Sequence, residues 1–186
     1  MKKSLQSLLL LYLITGVISV MPEPKTVYAY QEIKELRLLS TFLADNYEST
    51  KLIYRYANEM KRQAAPFNNV KHRARYRFEP NDIYARNVLS KSREMASRFK
   101  LLSGVLHQSS VPNKQLMIKE SLDSINSLSV YSKRAIRAIK DNNYALYLAS
   151  AQGIEKEAVA INKILDELEY AINENLEEYD SKKDSL

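Results

Sequence analysis

Cysteine is absent from this chain of 186 residues, tryptophan is absent with it, and there are only three glycines and two histidines. Each absence removes a class of chemistry. Without cysteine there is no disulfide framework, no thiolate nucleophile and no thiol for lipid attachment, so stability has to come from packing. His72 and His107 lie far apart in the chain with no cysteine beside them, which rules out a structural zinc site of the Cys/His kind. Neither ends a Glu-x-x-His motif, because Asn69 and Gly104 stand three residues before them, so the ligand set of a ferritin-like di-iron centre is missing. The isolated glycines (Gly16, Gly104, Gly153) form neither a phosphate loop nor a nucleophile elbow. These absences argue against an enzyme and call for no cofactor and no metal.

What is present begins with an address. Lys2 and Lys3, an uncharged and mostly apolar stretch from Leu5 to Met21, and Val27-Tyr28-Ala29 follow the order of a secretory signal. The stretch is shorter than the roughly 20 apolar residues of a membrane-spanning helix, and Pro22 and Pro24 end it. The expected organisation is a signal peptide at 1–29, one helical domain at 30–180 and a polar tail at 181–186. An uncleaved N-terminal anchor and a buried helix are the alternatives. The expected location is extracytoplasmic: secreted, periplasmic or in a thylakoid lumen.

After Tyr30, apolar residues recur at helical spacing. The first segment, Gln31 to Arg62, carries one row at Ile33, Leu36, Leu43, Tyr47, Tyr54 and Ala57 and another at Leu39, Phe42, Ile53 and Met60. The second, Asn81 to His107, steps through Ala85, Val88, Ser92, Met95, Phe99, Leu102 and Leu106, with Pro80-Asn81-Asp82 supplying N-cap chemistry. The third, Lys114 to Lys140, runs through Ile118, Leu122, Ile125, Ser129, Ser132, Ile136 and Ile139, where two serines predict close helix approach. Asp141-Asn142-Asn143 reads as a tight turn. The fourth carries Tyr147, Ala151, Ile154, Ala158, Ile161, Leu165, Leu168, Ile172 and Leu176. Its acidic C-terminal turns oppose the helix dipole and predict fraying there. Four such segments with one long and two short connections predict an all-α, up-down antiparallel four-helix bundle.

Charge is unevenly distributed. Residues 51–100 hold 13 Lys and Arg against 4 Asp and Glu, whereas residues 143–180 hold 2 against 9. Lys61 to Arg77 contains no acid at all. The connection at 63–80 is long for a helix–helix link, and such loops are commonly functional. Its arginines alternate with aromatics, a composition suited to anchoring on carboxylates or phosphates. Arg62, Lys71, Arg73, Arg75, Tyr76, Arg77 and Phe78 are therefore the candidate partner-binding residues. Pairing of the loop with the acidic fourth helix, or plain disorder, would account for the same residues without a partner. His72 reads as a solvated loop residue and His107 as a helix C-terminal cation. Tyr28, Tyr30, Tyr47, Tyr54, Tyr56, Tyr144, Tyr147 and Tyr170 fall on or beside the seams, which predicts core rings with hydroxyls at the rim.

From Asn81 onward the chain resembles the PsbQ-type extrinsic subunit of photosystem II, a lumenal four-helix bundle. The resemblance is carried by Leu101-Leu102-Ser103-Gly104-Val105-Leu106, a Ser/Pro break, Ala135-Ile136-Arg137-Ala138-Ile139-Lys140 and the Asp-Asn-Asn turn before Tyr144 and Tyr147. It covers about half of the chain. It implies a non-catalytic protein held by basic residues on a membrane complex. With the address, the composition predicts docking on an acidic membrane-associated protein or anionic surface. Export disfavours nucleic acid as the polyanion. The alternative class is a structural protein that self-assembles into a homo-oligomer through helix faces.

Overall fold

A computed structural model describes residues 24–105 and 113–183, with side chains described within 38–103 and 113–174 and at Glu177. The expected signal sequence up to residue 23, together with Leu106 and His107, lies outside the described residues. Two compact units divide the chain, Met1–Lys34 and Glu35–Leu186. The elements are α1 (Pro24–Ala64), a 3-10 turn (Ala65–Asn68), α2 (Val70–Arg75), α3 (Ile83–Val105), α4 (Lys114–Lys140) and α5 (Tyr144–Lys183). Among the described residues the protein is all-helical, with no strand. No helix among them is long and apolar enough to cross a membrane.

Three boundaries differ from the sequence expectation. α1 starts at Pro24 and not Gln31; proline lacks the N–H that a first helical turn leaves unpaired in any case. The 63–80 connection is largely ordered, because Pro66 sits at the start of the 3-10 turn. Asn69 then caps α2, its Oδ1 accepting the Lys71 N–H at 2.9 Å. α5 continues through Ser181 to Lys183, residues expected in a tail.

The second unit holds a single apolar core in which the four long helices each bury a stripe. On α3 every described residue of the expected row is buried: Ala85, Val88, Ser92, Met95, Phe99 and Leu102. On α5 the same holds from Tyr147 to Ile172, with Ile164 and Ala171 added. α4 departs. Its buried row is Ile118, Ser121, Ile125, Leu128, Ser132, Ala135 and Ala138, while Leu122, Ser129, Ile136 and Ile139 are half-buried. α4 packs against both α3 and α5, and its buried row mixes Ile118, Ile125 and Leu128 with serines and alanines. Ser92 and Ser129 hydroxyls meet at 2.8 Å between α3 and α4. Gly153 of α5 lies under the Tyr131 ring, where a Cβ would come within 2.6 Å of the ring. Tyr54 and Tyr170 are exposed, contrary to a core role.

Contacts along α1 fix the helix directions. The Tyr47 hydroxyl donates to Asp166, the Thr50 hydroxyl to Asn162 Oδ1, Lys61 Nζ to Glu155, and the Tyr147 hydroxyl to Gln63. Position rises on α1 as it falls on α5, so the two run antiparallel. Phe42 packs edge-on against Phe99 at 4.9 Å while Tyr56 meets Tyr84 at 6.0 Å, so α1 and α3 are antiparallel as well. The end of α1, the start of α3, the end of α4 and the start of α5 therefore gather at one end of the helix array. The basic connection lies at that end.

Candidate docking surface

Residues 65–75, the 3-10 turn and α2, contain no buried side chain. A six-residue helix is far below the length that holds itself together in water, so its shape depends on what it touches. Three contacts hold it. The Asn69 cap is one. His72 is another, half-buried, with the Phe67 ring edge-on at 4.9 Å and the Tyr76 ring tilted against it at 4.5 Å. Arg73 is the third: its guanidinium carbon lies 4.8 Å from the Tyr144 ring centroid and Nη1 donates to the Tyr144 hydroxyl at 2.7 Å. His72 is thus a packing residue and not the solvated one its basic surroundings suggest.

Phe78 locks the segment to the core. It is 3% exposed, with Phe67 at 4.9 Å, Tyr147 at 5.2 Å and Tyr144 at 6.4 Å, all edge-to-face. Its backbone N–H donates to Asn142 Oδ1 at 2.8 Å. Asn142 occupies the left-handed region (φ 50) in the α4–α5 turn, a conformation asparagine tolerates better than most residues. One turn residue therefore closes the hairpin and clamps the basic segment. Asn143 then caps α5, its Oδ1 accepting the Leu146 N–H at 2.9 Å.

The candidate partner-binding residues separate by what they touch. Phe78 is inside and offers no surface. Arg62 reaches Glu59 at 2.8 Å and Arg77 reaches Glu79 at 3.4 Å, both exposed pairs, of the kind worth at most about 1 kcal/mol and open to exchange. Arg73 is engaged by Tyr144. Lys71, Arg75 and Tyr76 are exposed, and among the described residues the side chains of Lys71 and Arg75 have no partner. Lys61 pairs with Glu155 at 2.6 Å, both side chains half-buried. Pairing with the acidic helix therefore occurs, but it takes up the lysine before the loop. Lys140 in the last turn of α4 adds charge at the same end, where the C-terminal dipoles of α1 and α4 favour cations, and Arg137 beside it pairs with Asp141 at 3.3 Å.

Elsewhere the chemistry is sparse. An open groove between α1 and α5 is lined by Ala44, Tyr47, Glu48, Lys51, Tyr54 and Asn162. The Tyr47 hydroxyl points to Asp166 at 2.6 Å and Glu169 at 3.1 Å. Partial burial and then these carboxylates push its phenol far above the usual range. Burial does the same to Tyr147, helped by the charge of Asp82. Among the described residues no three His, Cys, Asp or Glu side chains are grouped to hold a metal ion. No known family, curated protein or solved structure matches the chain.

Sequence reasoning placed Asn142 in a turn but missed its bond to the Phe78 N–H, and it missed Asn69 and Val70. Asn69 could have been found as an asparagine before a helix, where its side chain bonds nearby backbone. Val70 carried no signal, being a lone apolar residue in a polar stretch.

Proposed function

We propose that this is a non-enzymatic binding protein, an up-down antiparallel four-helix bundle whose basic end docks on an anionic membrane-associated surface outside the cytoplasm. The observation that carries the reading is the state of α2. The fold spends a cap, ring contacts on His72 and a cation–π contact on a helix that buries nothing, and that helix holds Lys71 and Arg75 free of any acid. Structural economy alone would replace it with a short turn. Extracytoplasmic location rests on the N-terminal sequence pattern, and it makes a membrane component a better partner than nucleic acid. An extrinsic subunit of a photosynthetic membrane complex, as the PsbQ-type resemblance implies, is one form this role takes.

The test is retention of the full chain on membranes from its source across a salt series. Wild type should bind in low salt and be released as screening increases. Reversing Lys71 and Arg75 to glutamate should abolish retention, and adding Arg73 and Arg77 should change little more. Retention by the Lys71→Glu/Arg75→Glu variant in low salt equal to wild type would overturn the reading.

A further inference from the structure

We propose that the outward face of α2, with Val70 and Ala74 beside Lys71 and Arg75, docks on an anionic lipid bilayer. The proposal rests on the docking reading above and names the partner's chemistry.

Helical geometry sets out the face. At about 100° per residue, Val70 and Ala74 share one row of α2 and Lys71 and Arg75 share the next. His72 and Arg73 occupy the opposite side, where they meet Phe67 and Tyr144. The helix is thus attached by one side and turns an apolar row and a cationic row away from the core. Val70 is 69% exposed and Ala74 is exposed with it. A purely electrostatic contact has no use for an uncovered apolar row. A bilayer interface does, because phosphate groups meet the cations while small apolar side chains enter the headgroup boundary.

The cations point to lipid in preference to an acidic protein. A folded partner holds its carboxylates at fixed spacing, which rigid, pre-oriented guanidinium forks match best. The arginine that is rigidly held, Arg73, is spent on Tyr144. The two unpartnered cations stand on long flexible stems, and laterally mobile lipid phosphates meet such groups without fixed geometry. Lys140 at the same end strengthens the local field, while Arg137 is paired with Asp141 at 3.3 Å. The clamp by Phe78 and Asn142 keeps α2 in place as it meets the surface.

The chain has no tryptophan, so Ala74→Trp, in the exposed apolar row, gives a single emitter at the face. The full chain carrying this substitution is mixed with phosphatidylcholine vesicles, with vesicles holding about 30 mol % phosphatidylglycerol, and with polyglutamate. The expected result is a blue shift and co-flotation with the anionic vesicles only. In that background Lys71→Gln/Arg75→Gln should lower partitioning about thirtyfold, and Val70→Ser about fivefold, with far-ultraviolet circular dichroism unchanged. Four outcomes overturn it, each differently. Anionic vesicles unbound while polyglutamate is bound through Lys71 and Arg75 removes the lipid and leaves the docking reading. Vesicle binding with no blue shift and no Val70 effect removes the apolar row. Vesicle binding indifferent to Lys71 and Arg75 removes α2 as the face. Binding to neither removes both readings.

Discussion

Replacing Phe78 with alanine tests whether the basic segment is anchored from within. The ring is 3% exposed and has three aromatic neighbours at 4.9 to 6.4 Å. Removing a buried phenylalanine costs about 3–5 kcal/mol, the upper values applying where the surroundings cannot close in. Here one wall of the site is the 65–77 segment, which has no other buried anchor and can relax, so a loss of about 3 kcal/mol is expected. For a domain of this size each kcal/mol moves Tm by roughly 2–4 °C, which gives a fall of about 10 °C in thermal unfolding followed by circular dichroism. Phe78→Leu keeps most of the apolar volume and should lose about 1 kcal/mol. Lys71→Ala and Arg75→Ala should lie within about 0.5 kcal/mol of wild type, because neither touches the core. Trypsin adds a second readout: release of the segment should speed cleavage after Arg73, Arg75 and Arg77 in Phe78→Ala. A loss below about 1 kcal/mol, with unchanged proteolysis, would refute the anchoring argument.

Asn142→Gly keeps the left-handed turn and removes the bond to the Phe78 N–H, so it should cost about 1 kcal/mol in urea unfolding. Asn142→Ala adds the strain of φ 50 and should cost roughly 1 kcal/mol more; equal losses in the two variants would contradict the assignment. Gly153→Ala gains about 1 kcal/mol of helix propensity but meets Tyr131 at 2.6 Å, so it should be net destabilising in wild type. It should turn stabilising in a Tyr131→Ala background, and the same sign in both would refute the close approach. Tyr47 and Tyr147 have phenol pKa values raised above the unfolded value of about 10. The folded state then holds protons that the unfolded chain releases, so this contribution to stability is complete below about pH 10 and is lost as pH rises beyond it. Denaturation from pH 8 to pH 11, both approximate, should show the loss, and Tyr147→Phe should flatten it; an unchanged slope would count against the buried phenol.

The helical domain was legible because its signal is periodic. Seams of α3 and α5 follow directly from spacing, and the ends of α4 were read correctly from Asn113 and Asp141. The errors have physical causes. On α4, apolarity pointed to Leu122, Ile136 and Ile139, but a helix held between two neighbours buries Ser121, Leu128, Ala135 and Ala138, each one residue before the expected Leu122, Ser129, Ile136 and Ile139. Tyr54 lies at the edge of its seam, and Tyr170, two residues from both Leu168 and Ile172, stands on the opposite face of α5. The 3-10 turn and α2 were invisible because neither has an apolar stripe; caps and ring contacts from distant residues make them.

The same distinction governs the basic segment. Sequence alone shows a run of cations with two aromatics, and in that view Arg73, Arg75, Arg77, Tyr76 and Phe78 are interchangeable members of one cluster. Folding assigns them different work according to which side of a short helix they occupy. His72 and Arg73 face the core and meet Phe67 and Tyr144, and Phe78 passes inside. Lys71 and Arg75, one helical turn apart, are left facing out beside Val70. A screen that neutralised every arginine in the run would mix destabilisation with lost docking. Only the side of α2 on which each residue stands separates the charges that hold the segment from those it presents.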